Sequence, residues 1–148
     1  MAQITLQPIT RDNWRQCVRL SVSEAQKDFV ASNVQSLAQA AYETNLTPLA
    51  AYDGEMMVGF TMYTHEPNDD GHFWIMRVLI DQAQQGKGYG RALMVQVIAR
   101  MRTLPGCTEI YLDYHKQNPH AKQLYASLGF VEVPEMEQEH EYVALLVL

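Results

Sequence analysis

The sequence predicts a mixed α/β (α+β) domain, with about seven mostly antiparallel strands in a central sheet and helices on both of its faces. Three observations predict it. The chain has 148 residues, the span of a single domain over 1–148. Hairpin signals cluster in the first half. Strands alternating with helical patterns fill the second half, as crossover units do.

The elements follow in order. Ile4–Ile9 alternates apolar and polar residues and carries Pro8, so it reads as an edge strand. Asp12 is a candidate N-cap, and Trp14, Cys17, Val18, Val22 and Ala25 recur at helical spacing, predicting a helix over 12–26. Cys17 falls on the apolar stripe of that helix and reads as a small buried hydrophobe. A second helix is expected over 33–43. Leu49–Tyr52 and Met56–Tyr63 flank Asp53-Gly54, a pair suited to a tight hairpin turn. After the turn signal Asn68-Asp69-Asp70-Gly71, Phe73–Ile80 is a nearly continuous apolar run, expected to be a strand buried on both faces. From Gly88 a helix begins, with Leu93, Met94, Val97, Ile98 and Met101 on one side. Ile110–Tyr114 reads as a strand and Pro119–Leu128 as a helix stopped by Gly129 in the left-handed conformation. Phe130–Val133 and Tyr142–Leu148 close the domain as strands.

Composition excludes several classes. Eleven Lys and Arg against seventeen Asp and Glu give a net charge of -6, the wrong sign for a duplex nucleic-acid binder and open to cationic partners. The apolar stretches are too short to cross a membrane. Met-Ala-Gln-Ile-Thr-Leu at the start has neither the basic nor the apolar region of a signal peptide. The two cysteines, Cys17 and Cys107, form no disulfide framework, and neither they nor the five histidines show metal-ligand spacing. A reduced cytoplasmic protein with no metal is expected.

The chemistry concentrates in two stretches. In the first, the apolar strand ending Val78-Leu79-Ile80 runs into Gln85-Gly86-Lys87-Gly88-Tyr89-Gly90-Arg91 and then a helix. Such a loop turns backbone N–H groups toward one point, the helix dipole adds partial positive charge there, and Lys87 and Arg91 add two full charges. The site suits a pyrophosphate-like anion. Lys87 is followed by Gly88 rather than Ser or Thr, so the loop is not a Walker A loop, and the glycine spacing fails the dinucleotide fingerprint. In the second stretch, Asn118-Pro119-His120-Ala121-Lys122-Gln123-Leu124-Tyr125-Ala126-Ser127-Leu128-Gly129-Phe130 follows a strand 28 residues after Gly90.

Together, Gln85-x-x-Gly88-x-Gly90 and the Asn118–Phe130 stretch resemble the two motifs of the GNAT superfamily of N-acetyltransferases, and the element order resembles its fold. The resemblance implies acetyl-CoA as cosubstrate, its pyrophosphate on Gln85, Gly86, Lys87, Gly88, Tyr89, Gly90 and Arg91. It implies that strands 73–80 and 110–114 splay apart, with the pantetheine arm between them on Val78 and Ile80. The N–H of Leu79 or Ile80 would meet the thioester carbonyl, and Asn118 would contact the arm. Tyr125, by spacing alone a core tyrosine, becomes in this family the general acid for the leaving thiolate.

Residues 22–40 and Trp74-Ile75 resemble the acceptor region of bacterial spermine/spermidine (diamine) acetyltransferases. Glu24, Phe29, Asn33 and Trp74 are therefore the expected acceptor contacts, with a small polyamine-like primary amine as substrate. Polyamine enzymes of the superfamily, animal ones especially, often have a carboxylate where this chain has Met76, which weakens that specificity. Glu132, Glu135, Glu137, Glu139 and Glu141 read mostly as a solvated turn, and Glu24 and Glu66 as residues near acceptor loops. His65, His72 and His115 read as surface histidines able to relay a proton. The residues name no general base. An aminoglycoside or a protein amine as acceptor, a non-catalytic acyl-CoA sensor, and assembly as a homodimer all stay open.

Overall fold

The computed structural model describes residues 2–148. Its strands are β1 (Thr5–Pro8), β2 (Leu46–Asp53), β3 (Met56–Thr64), β4 (Ile75–Ile80), β5 (Glu109–His115), β6 (Val131–Glu132) and β7 (Glu141–Val147). Its helices are α1 (Trp14–Arg19), α2 (Asn33–Tyr42), α3 (Tyr89–Arg102) and α4 (Pro119–Ser127).

The seven strands form two antiparallel sheets rather than one continuous sheet, in the orders β1-β2-β3-β4 and β5-β7-β6. One parallel bridge, Trp74 to Tyr111, joins them, with the Tyr111 N–H donating to the Phe73 carbonyl at 2.9 Å. Beyond it β4 and β5 diverge. The register of β3 against β4 shifts at Met62/Tyr63, where Met62 pairs with Arg77 and Tyr63 with Ile75, so Met76 is an extra residue. Such a bulge bends its strand and increases its twist. This one lies two residues past the bridge, at the start of the divergence.

The bulge also decides which face each β4 side chain takes. Val78 and Ile80 pack toward α3, with Leu93, Met94, Val97, Met101, Ile110, Leu112 and Ala144. Leu79 and Met76 pack on the other side, with Cys17, Phe60, Met62 and residues of α1 and α2. The two helical layers expected of the sequence are thus present, one on each face of the first sheet.

Three sequence expectations are corrected. The helix predicted over 12–26 is a six-residue α1 followed by a separate single turn at Glu24–Gln26. Leu20 is extended, at φ −66° and ψ 133°. The Ser21 N–H donates to Asp81 Oδ1 at 3.0 Å and its carbonyl accepts from the Gln82 N–H at 2.8 Å, so tertiary hydrogen bonds replace helical ones across a Ser-Val-Ser run of low helix propensity. Second, β2 starts at Leu46 rather than Leu49. Pro48 pairs with Met62, while β1 ends opposite Leu49, so the proline lies where no strand needs its missing N–H. Third, β4 is not buried on both faces. Met76, Arg77, Val78 and Ile80 are half-exposed, because the gap to β5 lies beside them.

Gly59 sets how closely β4 rests on β3. A Cβ there would lie 2.6 Å from the Leu79 carbonyl oxygen and 2.8 Å from Ile80 Cδ1. The first atom is backbone and cannot rotate away. Gly59→Ala is expected to destabilise the fold by about 1–3 kcal/mol, the usual cost of overpacking. The check is the urea midpoint, which should fall with an unchanged denaturant slope.

Candidate active site

The divergence of β4 and β5 opens a cleft of about 960 Å³ that passes between the sheets. Two kinds of wall face it.

One wall carries the glycine loop and α4. Gly86 and Gly88 adopt φ +79° and +82°, and Gly88 is the N-cap of α3 in the left-handed conformation. A side chain there would be strained by the backbone alone. Gly90 needs no positive φ; a Cβ on it would sit 3.6 Å from Leu124 Cδ2. The loop is fastened at both ends by side-chain hydrogen bonds. The Gln85 amide donates to the Ile80 carbonyl at 3.1 Å and to Gln26 Oε1 at 3.0 Å, and the Tyr89 hydroxyl donates to Asp53 Oδ2 at 2.5 Å. Arg91 faces the cleft and donates to Ser127 Oγ at 2.6 Å, whereas Lys87 donates to Gln84 and does not line the cleft.

The backbone of β4 shows which amides face the gap. Along an antiparallel strand, the N–H and C=O of one residue point to the same neighbour, and successive residues alternate. The Asp81 N–H donates to the Val58 carbonyl at 2.9 Å, so Leu79, two residues back, also turns toward β3. Val78 and Ile80 face the gap, and the hydrogen bond from Gln85 to the Ile80 carbonyl has the same sense. The expectation that the Leu79 N–H meets the thioester carbonyl is therefore corrected: Leu79 is committed to β3.

Asn118 caps α4, its Oδ1 accepting from the Ala121 N–H at 3.2 Å, and also lines the cleft. At the other end of the helix the Phe130 N–H reaches the Tyr125 carbonyl at 3.0 Å and the Gly129 N–H reaches that of Ala126 at 3.1 Å. This is a Schellman ending with Gly129 at φ +98°, and the Phe130 ring packs 6.0 Å from the Tyr125 ring. The Tyr125 ring also lies 5.6 Å from Tyr114. Burial, and then the nearby charge of Asp113, push the Tyr125 hydroxyl up to about 12, with no hydrogen-bond partner contributing among the described residues. It is a neutral O–H at any physiological pH.

The opposite wall holds charge, of which the sequence reading named Glu141 and His115 but passed over Asp113 and Arg77. Side chains alternate along β5, so Asp113 lies on the face opposite Tyr114. His115 is on the same face as Asp113, with Glu141 directly across from it on β7. Arg77 of β4 faces this side too, donating to Gln39 Oε1 of α2 and to the Met76 carbonyl, both at 2.9 Å. Its Nε is buried and makes no hydrogen bond. Asp113 lines the cleft and its side chain is exposed there, with the walls of β4 and β7 close around its carboxyl. Desolvation between those walls pushes its carboxyl up to about 6, Glu141 adding charge repulsion and a shared hydrogen bond and Arg77 opposing them. The signal was present: a single acid interrupts the strand Ile110-Tyr111-Leu112-Asp113-Tyr114.

Of the four expected acceptor contacts, one reaches the cleft. Phe29 lines it, its ring 4.9 Å from His115. Glu24 is exposed and paired with Lys27 at 2.5 Å. Asn33 is buried under α1, donating to the Cys17 carbonyl at 2.8 Å. Trp74 is buried at the bridge between the sheets, its indole donating to Asp70 Oδ2 at 3.0 Å. None of these three lines the cleft: Asn33 and Trp74 are held in the packing and Glu24 pairs with a neighbouring lysine. Cys17 is fully buried and burial pushes its thiol up to about 11, so it is no nucleophile. No group of three or more metal-ligating side chains is brought together among the described residues, and none of their helices is long and apolar enough to cross a membrane.

Residues 8–130 match the acetyltransferase (GNAT) family, so the chain belongs to that family of acetyl-transferring enzymes. Among curated relatives, the spermine/spermidine N(1)-acetyltransferase of Bacillus subtilis is 33% identical over 132 residues, covering 86% of this chain and 87% of that protein. Among solved structures, the spermidine N-acetyltransferase of Vibrio cholerae in complex with CoA and spermine is similar at a TM-score of 0.79 and 19% identity, over 98% of this chain and 95% of that one. The PaiA N-acetyltransferase of Thermoplasma acidophilum in complex with coenzyme A is similar at a TM-score of 0.72 and 16% identity, over 99% of both chains.

Acetyl-CoA is expected to raise the melting temperature of the wild-type protein, since a ligand bound only to the folded state stabilises it. Gly88→Val puts a strained, branched side chain at the N-cap of α3 and is expected to abolish that shift. Differential scanning fluorimetry checks it. A shift of wild-type size in the variant would mean that the glycine serves only the turn.

Proposed function

We propose that the chain transfers the acetyl group of acetyl-CoA directly to a primary amine of a small cationic acceptor of the polyamine type. The observation that carries this reading is the cleft itself. It has the glycine loop, the gap-facing amides of Val78 and Ile80 and the Tyr125 hydroxyl on one wall, and Asp113, Glu141 and the aromatic ring of Phe29 on the other. An anionic cosubstrate suits the first wall. A cation suits the second. The polyamine acetyltransferases among the relatives support the choice of acceptor.

The residues suit a direct transfer. Attack of a neutral amine on the thioester carbonyl places negative charge on oxygen, and a backbone N–H on the gap side of β4 is positioned to stabilise it, at about 3 kcal/mol per donor. Tyr125, kept neutral by burial, gives its proton to the departing sulfur. Asn118, with its oxygen engaged in the cap, offers its amide nitrogen to the pantetheine arm.

Thiol release with a panel of amines tests the reading: spermidine, spermine, a diamine, an aminoglycoside and a lysine peptide. Turnover of several polyamines with little selectivity is expected, since Met76 stands where a carboxylate would tighten recognition. Acetyl-CoA binding without thiol release from any amine would instead favour a sensor. For Tyr125→Phe, turnover is expected to fall about 10²–10⁴-fold with melting temperature and acetyl-CoA binding little changed. A purely structural tyrosine predicts the opposite pattern, with about 1 kcal/mol of stability lost and turnover intact.

A further inference from the structure

An amine with an intrinsic pKa like that of lysine, about 10.4, is almost wholly protonated at neutral pH and has no lone pair to attack with. Neither sequence motif supplies a group to remove the proton. The β4 position next to Arg77 is Met76, which has no proton-accepting group. The structure contains a carboxylate in the same cleft, on a different strand.

We propose that Asp113 is the general base of the reaction and that Glu141 is the positioning residue that keeps it basic. This inference rests on the acetyl-transfer reading above.

Asp113 sits on β5, the strand that forms the far side of the gap from Val78 and Ile80, so it lies across the cleft from the place assigned to the thioester. It is close enough to the throat for its charge to act on Tyr125. Its side chain leaves β5 on the face away from Tyr114 and Tyr125, the face toward Arg77 and Met76. An acceptor entering from that face meets Asp113 before the thioester, and Tyr125 stands behind it on the cofactor side. Base and acid are thus on opposite faces of the same opening, so separate groups handle the proton leaving nitrogen and the proton arriving at sulfur.

The charged and titratable groups around Asp113 come from every neighbouring element. Glu141 of β7 shares a hydrogen bond with it, Arg77 of β4 attracts it, and His115 is two residues along on the same face. The His140 ring stacks on that of His115 with centroids 6.1 Å apart, and Tyr125 lies on the α4 side. Two carboxyl groups this close share a proton readily and repel when both ionise. A cation placed between them relieves that repulsion, so the same pair that takes the proton also attracts the ammonium.

The step balances. The acceptor's –NH3⁺ gives one proton to the Asp113 carboxylate, which later returns it to solvent. The freed lone pair forms the N–C bond to the thioester carbonyl, and the C–S bond breaks. The sulfur takes a proton from Tyr125, which is replenished by the second proton leaving nitrogen. The products are the amide, the free thiol and one proton in solution.

The test is the pH dependence of kcat/KM for spermidine, by thiol release at saturating acetyl-CoA, for wild type, Asp113→Asn and Glu141→Gln. The wild-type rate is expected to rise with pH through about 6, as Asp113 ionises, and then to level. Asp113→Asn is expected to lose about 10²–10⁴-fold at the plateau. It should also lose the limb near 6, rising instead toward the ionisation of the free amine. Glu141→Gln removes the repelling charge and is expected to move the limb to lower pH. Carbon NMR titration of the Asp113 carboxyl in ligand-free protein should show the same downward move. Should Asp113→Asn not fold, the Glu141→Gln limb and the titration decide. A folded Asp113→Asn with the wild-type limb and a rate within about threefold overturns the inference and leaves acetyl transfer standing. An unmoved limb in Glu141→Gln overturns the role of Glu141. Wild-type protein that releases no thiol with any amine overturns both readings together.

Discussion

The site depends on one junction, where Trp74 meets Tyr111. It is the only bridge between the two sheets among the described residues, and it is fastened from several directions. The Trp74 N–H donates to Thr64 Oγ1 at 2.9 Å and its carbonyl accepts from the Thr64 N–H at 2.9 Å. The indole is held by Asp70, and the rings of Trp74 and His72 lie 5.4 Å and 4.3 Å from that of Tyr111. A junction this constrained resists sliding, so β4 and β5 can separate beyond it without the sheets coming apart. The Met76 bulge then turns β4 aside. What results is a strand inside the protein with one edge unpaired. Backbone N–H and C=O groups in such a place require partners. In the proposed reaction, an amide-bearing arm lying along Val78 and Ile80 would supply the hydrogen bonds that β5 withholds.

The second motif works through a similar constraint. Its Leu-Gly-Phe ending reads as a chemical signature, but none of those three residues carries chemistry. Gly129 supplies the left-handed turn, and the two Schellman hydrogen bonds close the last turn of α4. Phe130 is the apolar residue that this ending packs back against the helix, and the residue it meets is Tyr125. With Tyr114 on its other side, the Tyr125 ring is fixed between two aromatics. Its hydroxyl is therefore aimed by packing rather than by a hydrogen bond. In the proposed reaction, a hydroxyl held in this way would keep its proton until negative charge develops on the departing sulfur beside it.

Much of this was legible in the sequence, for identifiable reasons. Strand-to-helix order, the glycine loop and the ending of α4 are local features, written in residues close in sequence. Their elements appear within a few residues of expectation. The acceptor wall is not local. Asp113, Glu141 and Arg77 come from β5, β7 and β4, and only the pairing of β5 with β7 and the bulge at Met76 bring them to one face. A count of glutamates near a turn could not separate Glu141, at the start of a paired strand, from its solvated neighbours. Asn33 and Trp74 misled in the opposite sense. Polar or aromatic residues in an acceptor-like stretch suggest contact with a ligand, yet one is spent on the Cys17 carbonyl and the other on the sheet junction.

The acidic wall also bears on stability. The Asp113 carboxyl has a higher pKa in the folded chain than in the unfolded one, near 3.9, so the folded state binds the proton more tightly. Stability from this group is greatest below the unfolded value and declines as pH rises through about 6. At neutral pH the Asp113 carboxylate beside Glu141 is therefore a charge that folding alone would not favour, with Arg77 only partly offsetting it. Packing provides no reason for that arrangement. A hydrophobic residue at position 113 would extend the apolar surface of Tyr111 and Val143 on the same face. The arrangement makes physical sense once a cation enters: the ammonium supplies the charge that the protein lacks there, and its proton has a basic site to move to. Binding and proton removal then draw on one electrostatic strain, located at the single place where both walls of the cleft come together.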